Sequence, residues 1–261
     1  MPTVVLKVAY DGTEFVGMQR QPNGRTVEQV ISEAIEKILG ERSSVVAAGR
    51  TDAGVHARGM VVHSRLQCAP RVPQQRIANA LNSALPEDVR ILGVHVRDDD
   101  QFHARYDAIR RVYSYTINCC QDPLNRRYEW QVRFPFDPEV LKECSRLFIG
   151  THDFTTFSKQ NASQHSYICS VEQCEWQSLG KGRYRLEIAA NRFVYGMVRA
   201  LVGAMVDCAR GKRSLQELAD ALDARDRRLA SPLAPPHGLV FEAVEYPPHL
   251  GVVFHNACLC A

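Results

Sequence analysis

The sequence predicts an α+β protein of two domains whose antiparallel sheets line a central cleft. Three observations predict it. In the first half, apolar runs and amphipathic segments follow one another as β-α-β-β-α-β, the ferredoxin-like or RRM-like order. The second half returns a similar succession of strands and helices, with no sequence repeat, so the second copy rests on element order alone. At 261 residues the chain has room for two ordinary domains. The expected division is 1–105 and 106–261, near the solvated run Asp98-Asp99-Asp100. Two such sheets edge to edge would leave a cleft between domains, a common place for a site.

The elements follow in order. Residues 3–10 read as a strand ending in the Asp11-Gly12 turn. Residues 26–39 form the best helix. Val27, Val30, Ile31, Ala34, Ile35 and Ile38 keep helical spacing, Thr26 with Gln29 makes a capping box, and Gly40 is a stop. Strands are expected at 44–48 and 60–66, a second helix at 73–85, and a strand at 90–96. Beyond the boundary, residues 108–119 alternate as a strand. The Asp122-Pro123 turn leads to a partner strand at 128–134. A helix at 138–148 has Asp137 as N-cap and Gly150 as stop. Strands at 167–176 and 183–190, an apolar helix at 193–209, a helix at 214–222 opened by a Ser214–Glu217 capping box, and a strand at 239–246 complete the chain.

Composition narrows the class. An apolar fraction of 45% supports a packed core, and a formal charge of +3 does not by itself indicate a nucleic-acid partner. The nine cysteines include Cys119-Cys120 and a C-x-C at 258–260, but no C-x-x-C, so zinc-ribbon and thioredoxin readings lack support. An odd count without a signal peptide points to reduced thiols in a cytoplasmic protein. The N-terminal apolar run is too short for a secretory leader or a membrane span. The phosphate loop, the dinucleotide fingerprint, the zinc-deaminase signature and the G-x-S-x-G elbow are all missing. His56 and His63 are too isolated to suggest a metal site.

One stretch carries the chemistry: Gly49-Arg50-Thr51-Asp52-Ala53-Gly54-Val55-His56-Ala57. Two glycines flank a single carboxylate, so a loop here can hold Asp52 out from a sheet at low steric cost. Arg50 nearby favours the charged form. The stretch reads either as a loop presenting a nucleophile or as a turn in which Asp52 caps its own backbone. An aspartic-protease reading needs two carboxylates sharing a proton, and Asp11-Gly12 lacks comparable surroundings.

A nucleic-acid surface is suggested elsewhere. Arg105, Arg110, Arg111, Arg126, Arg127 and Arg133 are interleaved with Tyr106, Tyr113, Tyr115 and Tyr128. Guanidinium groups contact phosphate, and aromatic faces stack unpaired bases. Arg199 lies in an apolar helix, where it either snorkels or pairs with a carboxylate. Arg210, Lys212, Arg213, Arg225, Arg227 and Arg228 form a further basic group. Any one of these clusters alone would read as a solvated face.

The nonapeptide at 49–57 resembles the active-site motif of the tRNA pseudouridine synthase A (TruA) family. Other matches run in that family's order. They are Tyr10-Asp11-Gly12-Thr13 with Phe15, Gly17, Gln19 and Gln21, then Phe102-His103-Ala104-Arg105, Arg111-Val112-Tyr113-Ser114-Tyr115, Gly150-Thr151-His152-Asp153-Phe154, the Phe193–Arg199 segment, and Gly238-Leu239 with Val244. Met18 stands where the family usually has Trp, and Gly196 where many members have His. The resemblance implies an isomerase that converts uridine to pseudouridine in the anticodon stem-loop of tRNA, at positions 38, 39 and 40. It implies Asp52 as nucleophile, Tyr113 stacked on the target base and available as a base for the C5 proton, and Arg199 paired with Asp52. Arg50 would sit beside the flipped nucleotide. It also implies two RRM-like domains, a homodimer formed mainly by the C-terminal domains, no cofactor and no metal. The rival expectation is a non-catalytic RNA-binding module or an inactive homologue, against which the intact Asp52, Arg50, Tyr113 and Arg199 set speaks.

The chemistry agrees on its own terms. Breaking an N-glycosidic bond, turning the ring and rejoining it through carbon balances atoms and oxidation state. The reaction needs a nucleophile charged at neutral pH, which an Arg-paired Asp supplies.

Overall fold

Strand β1 (Thr3–Tyr10) is the centre of the first sheet, as its apolar run requires. It pairs antiparallel with β3 (His56–Arg65) on one side and β4 (Val89–Arg97) on the other. Strand β2 (Val45–Ala47) pairs with β3, which yields the β4-β1-β3-β2 order of a ferredoxin-like sheet. The computed structural model describes residues 1–159 and 166–256, so the 258–260 C-x-C lies outside the described residues. The chain is an α+β protein of two compact units. One is Met1–Ile109 with the segment from Phe241 on, and the other is Arg110–Val240.

In the first unit, α1 (Val27–Leu39) buries Val27, Ile31, Ala34 and Ile35 and packs beside α2 (Gln74–Ala84), which buries Ile77 and Leu81. Thr26 caps α1 by accepting from Gln29 N at 3.3 Å. The expected capping box is only half made: the Gln29 amide donates forward to Glu33 Oε1 instead (2.8 Å). The acidic triplet is not a free boundary. Thr3 Oγ1 donates to Asp99 O, Arg97 forks onto the Asp99 carboxylate, and Arg65 donates to Asp100 O. The C-terminal segment returns to this unit. Ile109 N donates to Glu245 O (2.9 Å), and β11 (His255–Asn256) pairs with β4.

In the second unit the sheet runs β5 (Arg110–Asn118), β9 (Arg183–Ala190), β8 (Ile168–Gly180), β7 (Gly150–Asp153), all antiparallel. Helices α3 (Pro138–Arg146), α4 (Met197–Ala209) and α5 (Leu215–Ala224) accompany it. Phe148, Phe154, Phe157, Leu186, Ile188 and Met205 are fully buried. Asp137 caps α3, and the Ser214–Glu217 capping box is complete. Strand β10 (Leu239–Glu245) begins in this unit and continues into the first.

Three expectations here are corrected. The partner strand at 128–134 is only β6 (Trp130–Gln131), and it runs parallel to β5. Polar groups fix the segment instead: buried Glu129 accepts from Asn118 Nδ2 (2.8 Å) and Arg183 Nε (3.0 Å). Helix α4 starts four residues later than its apolar run, because Gly196 at φ +73° interrupts it as the N-cap. Residues 150–153, where the sequence marks only the end of the preceding helix, form the edge strand β7.

His63 links β3 to the chain beyond β4. Its buried Nδ1 accepts the Ala104 N–H at 3.1 Å, and burial, with help from neighbouring His103 and Arg65, lowers its pKa to about 4. The native state therefore binds fewer protons there than the unfolded chain, whose histidine titrates near 6.5. Stability should fall as pH drops from about 6.5 towards 4, by on the order of 3 kcal/mol. Urea unfolding across this window should show His63→Gln to be less pH-sensitive than wild type by that amount. Parallel profiles would contradict the assignment.

Candidate active site

The loop between β2 and β3 is held by an arm that extends from the end of β1. Ala48 N donates to Val61 O (2.8 Å) and keeps the β-ladder until the loop leaves it. Met18 N donates to Thr51 O (3.1 Å), Gly54 N donates to Phe15 O (3.3 Å), and Asp52 forms an isolated antiparallel bridge with Gly17. The Tyr10 and Thr51 hydroxyls hydrogen-bond at 2.8 Å. The turn after Asp52 closes through its backbone carbonyl, which accepts from Val55 N (3.2 Å). Asp52 itself is half-buried.

Gly12 explains how closely the two segments meet. A Cβ at this position would lie 2.0 Å from Val55 O, so only glycine fits. Its N–H donates to His56 Nδ1 at 3.0 Å. His56 is buried, and Nδ1 also lies 3.1 Å from Asp11 Oδ1. One ring nitrogen cannot accept from Gly12 and donate to Asp11 at once. The Gly12 bond assigns the ring proton to Nε2, so the Asp11 approach is not an ion pair. Asp11 Oδ1 is served by Thr13 N (3.0 Å) and Thr13 Oγ1 (2.6 Å).

Tyr10, Gly12, Gly17 and His56 thus place the carboxylate, although residue chemistry alone nominates none of them for that role. Two signals for it stand in the sequence: the Asp11-Gly12 turn and the histidine two residues after Gly54. Arg50 is exposed and makes no ion pair among the described residues.

The second unit holds the other singled-out residues. Tyr113 on β5 is buried, and its ring meets Phe193 edge-on at 5.0 Å. Arg199 lies in the first turn of α4, half-buried, with Nε donating to Ala234 O (2.7 Å) while Ala234 N donates to Arg199 O (3.0 Å). It acts on Tyr115, whose burial pushes the phenol well above its usual range while the Arg199 charge pulls it down. Tyr115 is fully buried and donates to Pro235 O at 2.8 Å, so it is a core residue rather than a stacking surface.

The arginines divide. Arg110 pairs with Glu172 (3.0 Å), and Arg111 is buried with its guanidinium on Asn191 O (2.7 Å). Arg105, Arg126 and Arg127 are exposed, as are Tyr106 and Tyr128. Among the described residues no group of three or more His, Cys, Asp or Glu side chains could hold a metal ion, and no helix is long and apolar enough to cross a membrane.

Residues 7–107 and 144–247 match the family model described as tRNA pseudouridine synthase. The chain is also 40% identical over 257 residues to the tRNA pseudouridine synthase A of Chloroflexus aurantiacus, covering 96% of this chain and 91% of that protein. The chain belongs to the tRNA pseudouridine synthase A family. Family members of the same name from an Exiguobacterium strain and a Thermoanaerobacter strain are 36% and 37% identical, covering 94% of this chain and 98% and 100% of theirs. The match to the pseudouridine synthase model takes in both the arm at 10–18 and the loop at 49–57, the two segments that the hydrogen bonds above tie together.

Gly12→Ala tests that tie. The added methyl must push the arm off Val55, with a destabilisation of about 1–3 kcal/mol. Hydrogen exchange read by mass spectrometry should accelerate in peptides carrying the Met18 and Gly54 amides, while the β1–β4 ladder stays protected. Unchanged exchange at both amides would show that the close approach does not hold the loop.

Proposed function

We propose that this chain converts uridine to pseudouridine in the anticodon stem-loop of tRNA, at positions 38, 39 and 40. The observation that carries the proposal is membership of a family of isomerases that act on tRNA, combined with a half-buried aspartate braced in the matching loop. Asp52 acts as the nucleophile on the detaching nucleotide. The N-glycosidic bond breaks, the uracil turns, and a carbon–carbon bond forms in its place. The bond to Asp52 is released, the C5 proton leaves and N1 takes up a proton, so atoms and electrons balance with no outside reagent.

Tyr113 stacks on the target base, and its hydroxyl is the nominated acceptor of the C5 proton. Arg199 is the nominated partner charge of the nucleophile. Its first-turn position on a packed helix and its Nε bond to Ala234 O supply a fixed guanidinium. Arg50, Arg105, Arg126 and Arg127 are exposed cations suited to phosphate. Arg110 and Arg111 serve the RNA through the strand they stiffen. A target in a stem or its loop must be flipped out, at a cost of a few kcal/mol. The proposal further takes the enzyme to be a cytoplasmic homodimer that uses no cofactor.

Incubation with unmodified bulk tRNA and then carbodiimide mapping tests the reading. New pseudouridine at 38, 39 or 40 is the expected result. Pseudouridine elsewhere would move the target site. Tight tRNA binding with no new pseudouridine would replace the enzyme by an RNA-binding module.

A further inference from the structure

Beyond the arm and loop, the first unit carries an aromatic ladder that leads from its core to solvent. Phe102 is fully buried and meets Tyr246 at 4.9 Å and His63 at 5.9 Å, both edge-on. His63 stands 5.0 Å from His103, and His103 stands 4.3 Å from Tyr106 with the two planes tilted by 31°. Tyr106 ends the series and is 75% exposed.

An exposed tyrosine is ordinarily of no consequence, but this one is built in. His103 Nδ1 accepts from both Arg105 N and Tyr106 N at 3.2 Å. His103 N donates to Asp107 Oδ2 (2.7 Å), and Asp107 N donates back to His103 O (3.1 Å). Ala104, fully buried, anchors the turn through His63 and through the Tyr246 hydroxyl on its carbonyl (2.8 Å). The backbone that carries the ring is therefore fixed, and the ring lies against the His103 imidazole. Part of the entropy of ordering it is thereby already met, which favours a strong contact.

The surrounding charge selects the occupant. The exposed Arg105 guanidinium lies 5.8 Å from the Tyr106 ring centroid. The Arg65 charge also reaches His103, while the Asp107 carboxylate is engaged by His103 N. A fixed aromatic face beside cations is the combination that binds unpaired bases, with the ring stacking and the cations meeting the backbone.

We propose that Tyr106, backed by His103, is a stacking seat for an unpaired base of the RNA substrate, separate from the place of the reacting uridine. The inference rests on the proposed action on tRNA and deepens it by adding a second nucleotide contact.

The test measures filter-binding affinity at one fixed salt concentration for wild type, Tyr106→Phe and Tyr106→Leu. The probes are unmodified tRNA and a blunt RNA duplex with no unpaired bases. Tyr106→Leu should bind tRNA roughly 5- to 150-fold more weakly, the worth of one base–aromatic stack. Tyr106→Phe should stay within about twofold of wild type. All three should bind the duplex alike, and because the side chain is exposed all three should unfold at the same temperature. Wild-type affinity in Tyr106→Leu overturns the seat. So does equal weakening by Phe, which would assign the contact to the hydroxyl, and so does equal weakening on the duplex. If wild type neither binds nor modifies tRNA, the function fails and the seat with it. If wild type modifies tRNA and Tyr106→Leu binds it normally, the seat alone fails.

Discussion

The close approach of the arm after β1 to the loop before β3 is the constraint on which the first unit's site depends. A loop of eight residues between β2 and β3 is by itself free to sample many conformations, and ordering each residue costs about 1–2 kcal/mol. Here that ordering is spread over Thr51 O, Gly54 N, the Asp52–Gly17 bridge, the Tyr10–Thr51 hydroxyl pair and the Gly12–His56 bond. Each is an ordinary hydrogen bond worth about 1 kcal/mol. Together they hold the stretch of backbone that carries the Asp52 carboxylate. That is the kind of preorganisation a nucleophile needs.

The second unit solves a different problem. It must keep a guanidinium and a phenol rigid within an apolar setting. Arg199 is held through its Nε and its own carbonyl by Ala234, and Tyr113 is wedged by Phe193. In both cases the holding group is outside the regular elements, in segments that pack against a strand or helix. In this unit the residues nominated for chemistry, Tyr113 and Arg199, come from regular structure, and irregular chain holds them.

Where local pattern determines structure, it was legible. Helix α1 could be read to the residue at its end because Thr26, the apolar spacing and Gly40 all act within the segment, and Gly40 takes the expected left-handed conformation at φ +76°. Strand β9 was read in full for the same reason. The failures are long-range. Glu129 looks like one more charged residue in a loop until Arg183, 54 residues away, donates to it. His56 looked isolated because its partner, the Gly12 amide, is 44 residues distant. Arg111 and Tyr115 read as an RNA-facing alternation. In the structure Arg111 and Tyr115 are buried, whereas Arg105, Tyr106, Arg126, Arg127 and Tyr128 are exposed. The nonapeptide at 49–57 stood out through its composition, but nothing in its spacing disclosed that a second segment holds it.

The most direct test of the central claim, that the braced Asp52 carboxylate is the nucleophile, is a single-turnover measurement on unmodified tRNA with Asp52→Asn, alongside its tRNA affinity and unfolding temperature. Asparagine keeps the size and the backbone bonds of the bridge to Gly17 but has no negative charge to attack with. The account predicts normal affinity, normal stability and pseudouridine formation slowed by roughly 10⁴-fold or more, the scale of losing a nucleophile. Turnover within about tenfold of wild type, with affinity unchanged, would contradict it and remove Asp52 from the chemistry.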